Sequence, residues 1–247
     1  DMPDSSTLIV AGGGAAGFFC AVNAARLNPS LQVILLEKTD KLLSKVKISG
    51  GGRCNLTHAC YDIVEMSKCY PRGGSFVKKA FHRFFTVDTI AWFRERGVAC
   101  KAEQDGRMFP VSDSSQTIID CLLKETARYH VEIKLKQELC GISRTATGFR
   151  ILCSNGSTYD ANYVCIASGG YPKSAMFSWL KETGHPVAEP VPSLFTFNLA
   201  GGMPGTKGHP LTALMGVSVP NARVKIAGTK LETEGPLLIT HWGLSGP

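Results

Sequence analysis

The stretch Thr7-Leu8-Ile9-Val10-Ala11-Gly12-Gly13-Gly14-Ala15-Ala16-Gly17, continued to Leu27 and closed by Gln32-Val33-Ile34-Leu35-Leu36-Glu37, decides the fold. Residues 6–11 are β-branched and apolar and run straight into glycines, the pattern of a short buried strand. Residues 15–27 read as a helix that Asn28-Pro29 stops. A second apolar run, 32–36, ends on Glu37. Strand, glycine turn, helix and strand in about 30 residues make one right-handed parallel crossover unit. Gly12, Gly14 and Gly17 match G-x-G-x-x-G, with Gly12 for the tight turn, Gly14 for the close approach of a pyrophosphate and Gly17 for helix–strand packing. The helix N-terminus offers N–H groups and partial positive charge to phosphates. Glu37 stands 20 residues after Gly17, at a strand end where a carboxylate accepts ribose hydroxyls. An acid there implies a free 2′-hydroxyl, which suits FAD or NAD better than NADP. The motif does not choose between those two.

Composition agrees with a folded α/β chain. Its 247 residues suffice for one large domain or two modest ones, 44% are hydrophobic and 19% charged. Roughly 70% of the unfolded surface of such a chain is buried on folding, so the core needs no staples. No apolar run approaches the length of a membrane-spanning helix, so no membrane role is expected. The nine cysteines are odd in number and contain no C-x-x-C pair, so neither a disulfide framework nor a zinc site is expected. Without a secretory leader at the start, a reduced, cytoplasmic protein is expected.

Net charge is +7, and it is concentrated. Residues 41–107 hold 13 Lys/Arg against 6 Asp/Glu, while the remainder carries 14 of each. A basic surface of this kind attracts phosphates, whether of a dinucleotide or of a nucleic acid, although a solvated face has the same composition. Residues 38–74 read as loop-rich, followed by helical stretches near 75–84 and 87–96, a hairpin near 98–110 and a helix at 115–129. From Val131 the texture is β: residues 131–135, 138–145, 148–154 and 159–168 read as strands, with a turn at 154–157. A short helix is expected within 174–182. Pro186, Pro190 and Pro192 mark a boundary, giving a Rossmann-like domain over 1–191 and the start of a β-rich segment over 192–247. The fold class expected is three-layer α/β with a parallel central sheet.

Lys45-Val46-Lys47-Ile48-Ser49-Gly50-Gly51-Gly52-Arg53-Cys54-Asn55-Leu56-Thr57 is the most unusual segment. Three glycines let backbone approach a flat or charged ligand, and Arg53 and the lysines can neutralise phosphate. With the glycine turn and strand-end Glu37-Lys38, this segment resembles the BaiN/RdsA-like family of FAD-dependent oxidoreductases. Gly106-Arg107-Met108-Phe109-Pro110, Ala167-Ser168-Gly169-Gly170-Tyr171-Pro172 and Thr240-His241-Trp242-Gly243-Leu244-Ser245-Gly246-Pro247 extend the likeness along the chain. The resemblance implies FAD, with adenosine near Glu37 and Lys38 and pyrophosphate over Gly12, Gly14, Ala15, Ala16 and Gly17. It implies the flavin side near Ser49, Gly50, Gly51, Gly52, Arg53, Cys54 and Asn55, with Lys45 also among the cofactor contacts. The strand around Leu139 would lie beside adenine, and Ala167, Ser168, Gly169 and Gly170 would form the turn passing back over the cofactor. It also implies a further closing segment, so that this chain, opening on Asp1-Met2 and ending on Gly246-Pro247, reads as a fragment.

Catalytic candidates are few. Cys54, beside Arg53 in a cationic loop, would be a redox thiol if its pKa were lowered, or else structural. Arg107 suits an anionic substrate or the flavin's polar edge, or else a strand-end salt bridge. Among His58, His82, His209 and His241, the last is preferred as a proton donor because it sits in a shared motif. Lys78 and Lys79 with Phe81, Phe84 and Phe85 mix base and aromatic as a nucleic-acid surface does, although at helical spacing the phenylalanines suit a core. The expected function is flavin hydride transfer to or from a small molecule, by C=C reduction or amine oxidation, with NADH or NADPH as possible donor. The alternatives are reduction of uridine in ribosomal RNA, which the resemblance implies and the basic region suits, and a non-catalytic FAD-binding fragment.

Overall fold

A computed structural model describes residues 6–171, 177–191, 196–201 and 209–246. The chain divides into two compact units, Asp1–Ala188 and Glu189–Pro247. The first is built on a four-stranded parallel sheet in the order β10-β1-β2-β6, with β1 Thr7–Ala11, β2 Gln32–Leu36, β6 Glu132–Lys134 and β10 Tyr163–Ile166. Helix α1, Ala15–Leu27, makes the crossover from β1 to β2. Both strands are apolar at successive positions because both faces of the sheet are covered. Leu8, Val10, Val33 and Leu35 pack with Phe18, Ala21 and Val22 of α1. Their neighbours Ile9, Ala11, Ile34 and Leu36 pack on the opposite face with Leu139, Ile151, Cys153 and Trp179. Each such aliphatic side chain, fully buried, contributes about 1.5–3 kcal/mol.

The first layer is completed by α2 Ser44–Gly52, α3 Ile63–Lys68, α4 Gly74–Phe81, α5 Thr86–Arg94 and α6 Ser115–Arg128. Segment 38–74 is thus not simply loop. Helix α2 forms because Val46 buries beneath it, and it leaves helical geometry at Ser49–Gly51. Asp62 caps α3 by accepting the Val64 and Glu65 N–H groups at 2.7 and 3.0 Å. A small antiparallel sheet, β3-β5-β4, joins β3 Thr57–His58, β5 Arg107–Pro110 and β4 Cys100–Ala102. On the other face of the parallel sheet lie the antiparallel strands β7 Leu139–Arg144, β8 Phe149–Cys153 and β9 Thr158–Ala161, with the short helix α7 Ser178–Lys181. The run 159–168, expected as one strand, is divided between two sheets. Asn162 makes the break, its side chain accepting the Thr7 N–H at 2.8 Å and its own N–H donating to the Thr7 carbonyl.

The second unit is an antiparallel sheet in the order β11-β14-β13-β12, from β11 Phe197–Asn198, β12 Ser218–Lys225, β13 Glu232–Ile239 and β14 Gly243–Ser245. The expected beginning of the β-rich segment at Pro192-Ser193, the start of the 174–182 helix, Pro172 and Pro247 lie outside the described residues.

Candidate functional site

The glycine turn is shaped by three different demands. Gly12 has φ +123, and a Cβ there would fall 2.2 Å from the carbonyl oxygen of Ala167, so the turn crosses the exit of β10 with no room for a side chain. A Cβ on Gly17 would come 1.8 Å from the Gly12 oxygen, so this glycine lets α1 start hard against the turn. Gly14 differs, because a Cβ there would meet nothing within 4 Å. It faces open space. Gly14 also caps α1 without a side-chain hydrogen bond, and the first turn holds no acid. The first N–H groups of α1 have no intrahelical acceptor, and no acidic side chain within the first turn offsets the positive end of the helix.

Glu37 closes the far side of the turn. Its Oε2 accepts the Gly13 N–H at 2.8 Å, and its Oε1 accepts the Thr39 N–H and Oγ1, both at 2.8 Å. A Cβ on Gly13 would sit 2.9 Å from the Glu37 side chain, so the second glycine of the turn also has a structural task. The Glu37 backbone is held on both sides, its N–H donating to Lys134 and its carbonyl accepting from Gln137.

A cleft of about 600 Å³ opens beyond the C-terminal ends of β1 and β10. Gly14, Ala15, Ala16, Lys45, Ser49, Cys54, Asn55, Ala167 and Gly169 all line it, so three separated sequence motifs converge on one space. In an open parallel sheet such a crevice is where ligands bind. Lys45 reaches towards the 167–170 turn, since a Cβ on Gly169 would lie 3.9 Å from its Nζ. Among the described residues no carboxylate lies within ion-pair range of Lys45. The bend that carries α2 into the cleft wall depends on Gly50, whose φ is +56 and whose Cβ would meet the Phe109 ring at 2.7 Å and the Asn55 nitrogen at 2.9 Å.

Other expected residues lie elsewhere. Arg53 does not line the cleft. Its guanidinium pairs with Glu103, approaches Asp113 at 3.8 Å and stacks 3.9 Å from the centre of the Phe109 ring. It braces the small sheet, and its expected phosphate role has no geometric basis here. Gly51, Gly52, Ser168 and Gly170 shape the loops without lining the cleft, and Leu139 is buried in the second core cluster. Lys38 is exposed, with Nζ 6.0 Å from the centre of the Tyr171 ring. Arg107 takes the salt-bridge option, pairing with Asp105 at 2.7 Å and Glu103 at 3.3 Å. His241 is exposed in the second unit with its ring against Trp242. Cys54, although it lines the cleft, takes the structural option: the thiol is buried, and desolvation pushes its pKa up. Arg53, spent on Glu103, does not offset that burial.

The cleft also has an apolar wall that motif reading missed. Phe19, Phe84, Phe93, Ile118 and Leu122 line it, from α1, the segment after α4, α5 and α6. Of the three phenylalanines assigned to a core, only Phe85 is buried; Phe84 is 39% exposed. Helical periodicity signals apolar faces, but it does not distinguish one that meets another helix from one that meets a cavity.

Two curated proteins and one solved structure place this geometry among known ones. The chain is 33% identical over 243 residues to a ribosomal RNA dihydrouridine synthase of Escherichia coli, covering 97% of this chain and 58% of that protein. It is 27% identical over 246 residues to a 3-dehydro-bile acid delta(4,6)-reductase of Clostridium scindens, covering 96% and 57%. The chain therefore spans somewhat under three-fifths of the length of these relatives. The crystal structure of 3-ketosteroid-delta4-(5alpha)-dehydrogenase from Rhodococcus jostii RHA1 shares its fold, with a TM-score of 0.52 at 13% identity over 72% of this chain and 49% of that one. Residues 6–236 match the model of the HI0933-like protein Rossmann domain, and the chain belongs to that family.

Proposed function

We propose that the chain is the dinucleotide-binding part of a FAD-dependent oxidoreductase that saturates a conjugated carbon–carbon double bond. The observation that carries the reading is the convergence of an uncapped helix N-terminus, the side-chain-free space at Gly14 and the Lys45 ammonium on one cleft. These groups fit a pyrophosphate: N–H donors and a cation in a place where a Cβ would intrude. The N–H groups of Ala15 and Ala16 would hold its oxygens, Lys45 would balance its charge, and Glu37 would turn its carboxylate from the Gly13 and Thr39 donors to ribose hydroxyls. Ser49 and Asn55 offer polar groups along the flavin side, and the phenylalanine wall makes that end of the cleft apolar. FAD supplies the hydride chemistry when bound. The names of the two relatives support reduction over amine oxidation, since a dihydrouridine synthase and a delta(4,6)-reductase both act on a double bond. NADH or NADPH is the proposed donor. The nine free cysteines suit a reducing, cytoplasmic setting. Anaerobic addition of NADH or NADPH to the flavin-loaded protein tests the reading. Bleaching of the flavin band is expected, with recovery on adding a conjugated enone or uridine-containing RNA. A flavin that no nicotinamide reduces would count against it.

A second reading of the substrate, as RNA, is favoured by one surface. Helices α3 and α4 pack together. They and their flanking residues expose Lys68, Arg72, Lys79 and Arg83, together with Tyr70 at 42% and Phe76 at 77% exposure. Arg83 directly precedes Phe84 of the cleft wall, so the basic segment leads to the rim. Only Lys68 of these cations has an ion-pair partner among the described residues, Glu65. RNA binding through this surface would weaken with salt by about 0.7 log units per log unit for each phosphate neutralised. Reversing the charge at Lys79 and Arg83 would reduce that slope and leave flavin binding unchanged. Salt-independent binding would return the assignment to a small molecule.

A further inference from the structure

The apolar wall of the cleft is backed by a polar network. Trp92 of α5 is buried and does not line the cleft, but its ring contacts two residues that do. Its centre lies 5.1 Å from that of Phe19 and 4.9 Å from that of Phe93, and Phe19 in turn stands 5.1 Å from Phe84. Polar contacts hold the indole from the other side. Its Nε1–H donates to the Asn23 side-chain oxygen on α1 at 2.9 Å, and Asn23 Nδ2 donates to the Phe19 carbonyl at 2.8 Å. The Arg96 guanidinium stacks 3.8 Å from the ring centre and donates to the Trp92 carbonyl at 2.8 Å. Arg96 is itself held at 2.8 Å by Glu125, a buried carboxylate of α6. We infer that Trp92 is a positioning residue for the cleft: tied to α1 through Asn23 and clamped by Arg96 and Glu125, it sets the spacing of Phe19, Phe84 and Phe93 for a flat aromatic ring.

Direction is what the network adds to packing. Apolar burial alone is non-directional and leaves a helix free to turn about its axis, whereas a hydrogen bond weakens steeply off its line. Successive residues of a helix point about 100° apart, so holding the Trp92 indole on Asn23 also fixes where Phe93 points. Arg96 and Glu125 form a pair that is costly to bury unless its geometry is good. Here the guanidinium meets a carboxylate, a carbonyl and a ring face at once, which leaves it few ways to move. Glu125 lies one turn after Leu122, another residue of the wall. The contacts Phe19–Trp92–Arg96–Glu125 therefore join the three helices α1, α5 and α6 that supply most of the wall. That the ring received there is a flavin rests on the cofactor reading above.

Trp92→Phe and Asn23→Ala remove the same bond from opposite ends. Each variant is titrated with FAD and with ADP, which carries adenosine and pyrophosphate but no flavin. The expected result is a several-fold loss of FAD affinity in each single variant, unchanged ADP affinity, and no further loss in the double variant, because either substitution alone breaks the tie. Equal losses for FAD and ADP would mark a general loosening of the fold and overturn the assignment. Unchanged FAD affinity in Asn23→Ala, or losses that multiply in the double variant, would overturn it too. Asn23 is only half-buried, so its variant decides the matter even if Trp92→Phe fails to fold. A measurement without cofactor separates this role from the cofactor reading. Para-fluorophenylalanine placed at position 19 should give one sharp fluorine NMR line, which Asn23→Ala shifts and broadens. A line indifferent to Asn23→Ala would overturn the positioning role whether or not FAD binds. A line that responds in a chain that binds no FAD would instead count against the cofactor reading and leave the placement of Phe19 by Trp92 standing.

Discussion

Glu37 accepts three hydrogen bonds with one carboxylate, and every one comes from a residue of the turn or strand end that frames the cleft. It therefore holds the turn in shape before any ligand arrives, and its proposed exchange of the Gly13 and Thr39 donors for ribose hydroxyls changes partners without stranding a charge. Glu37→Ala should weaken FAD binding by about 1–3 kcal/mol, the cost of leaving polar groups in the site unpaired. A titration showing unchanged affinity would exclude the ribose role. Cys54 illustrates the opposite case at the same scale. Its sequence neighbours suggest activation, but burial raises its pKa and Arg53 is engaged with Glu103. At neutral pH its alkylation should be slower than that of the exposed Cys69 and Cys140.

At the scale of the element, the glycine turn and α1 separate folding from binding. Gly17→Ala places a methyl 1.8 Å from the Gly12 oxygen, so it should destabilise the fold by about 1–3 kcal/mol, measured by denaturant unfolding. Gly14→Ala places its methyl in open space and should leave stability nearly unchanged while weakening FAD binding about tenfold or more. Equal effects of the two substitutions on stability would contradict the division of roles. This crossover was legible in the sequence because its signals are local: a buried strand, glycines at fixed spacing, a proline stop and a strand-end acid. Helix α2 was not, since Gly50, Gly51 and Gly52 disguise a helix held by Val46 from below. The apolar wall was not legible either. Phe19, Phe84, Phe93, Ile118 and Leu122 come from four segments, and only packing shows that their faces meet a cavity. Arg53 misled for the same reason: its partner Glu103 lies 50 residues away.

At the scale of the molecule, four thiols report on the whole first unit. Burial raises the pKa of Cys54, Cys100, Cys121 and Cys153 above the ordinary thiol value. Well below the ordinary thiol pKa of about 8.5 these groups are protonated in both folded and unfolded chains and do not affect stability's slope. As pH rises past that value the unfolded chain releases protons that the folded chain retains, so stability should fall. Replacing Cys121 and Cys153 by Ala should flatten that alkaline decline, read from denaturant midpoints at several pH values. The central claim, that the cleft beyond β1 and β10 receives the dinucleotide half of FAD, is tested most directly by titrating the chain with FAD and with FMN under identical conditions. The account predicts saturable one-site binding of FAD, lost in Gly14→Val, with FMN binding far more weakly because it lacks the adenosine and pyrophosphate that Glu37, Lys45 and the α1 N-terminus would hold. Equal affinity for the two flavins, or FAD binding indifferent to Gly14→Val, would contradict it.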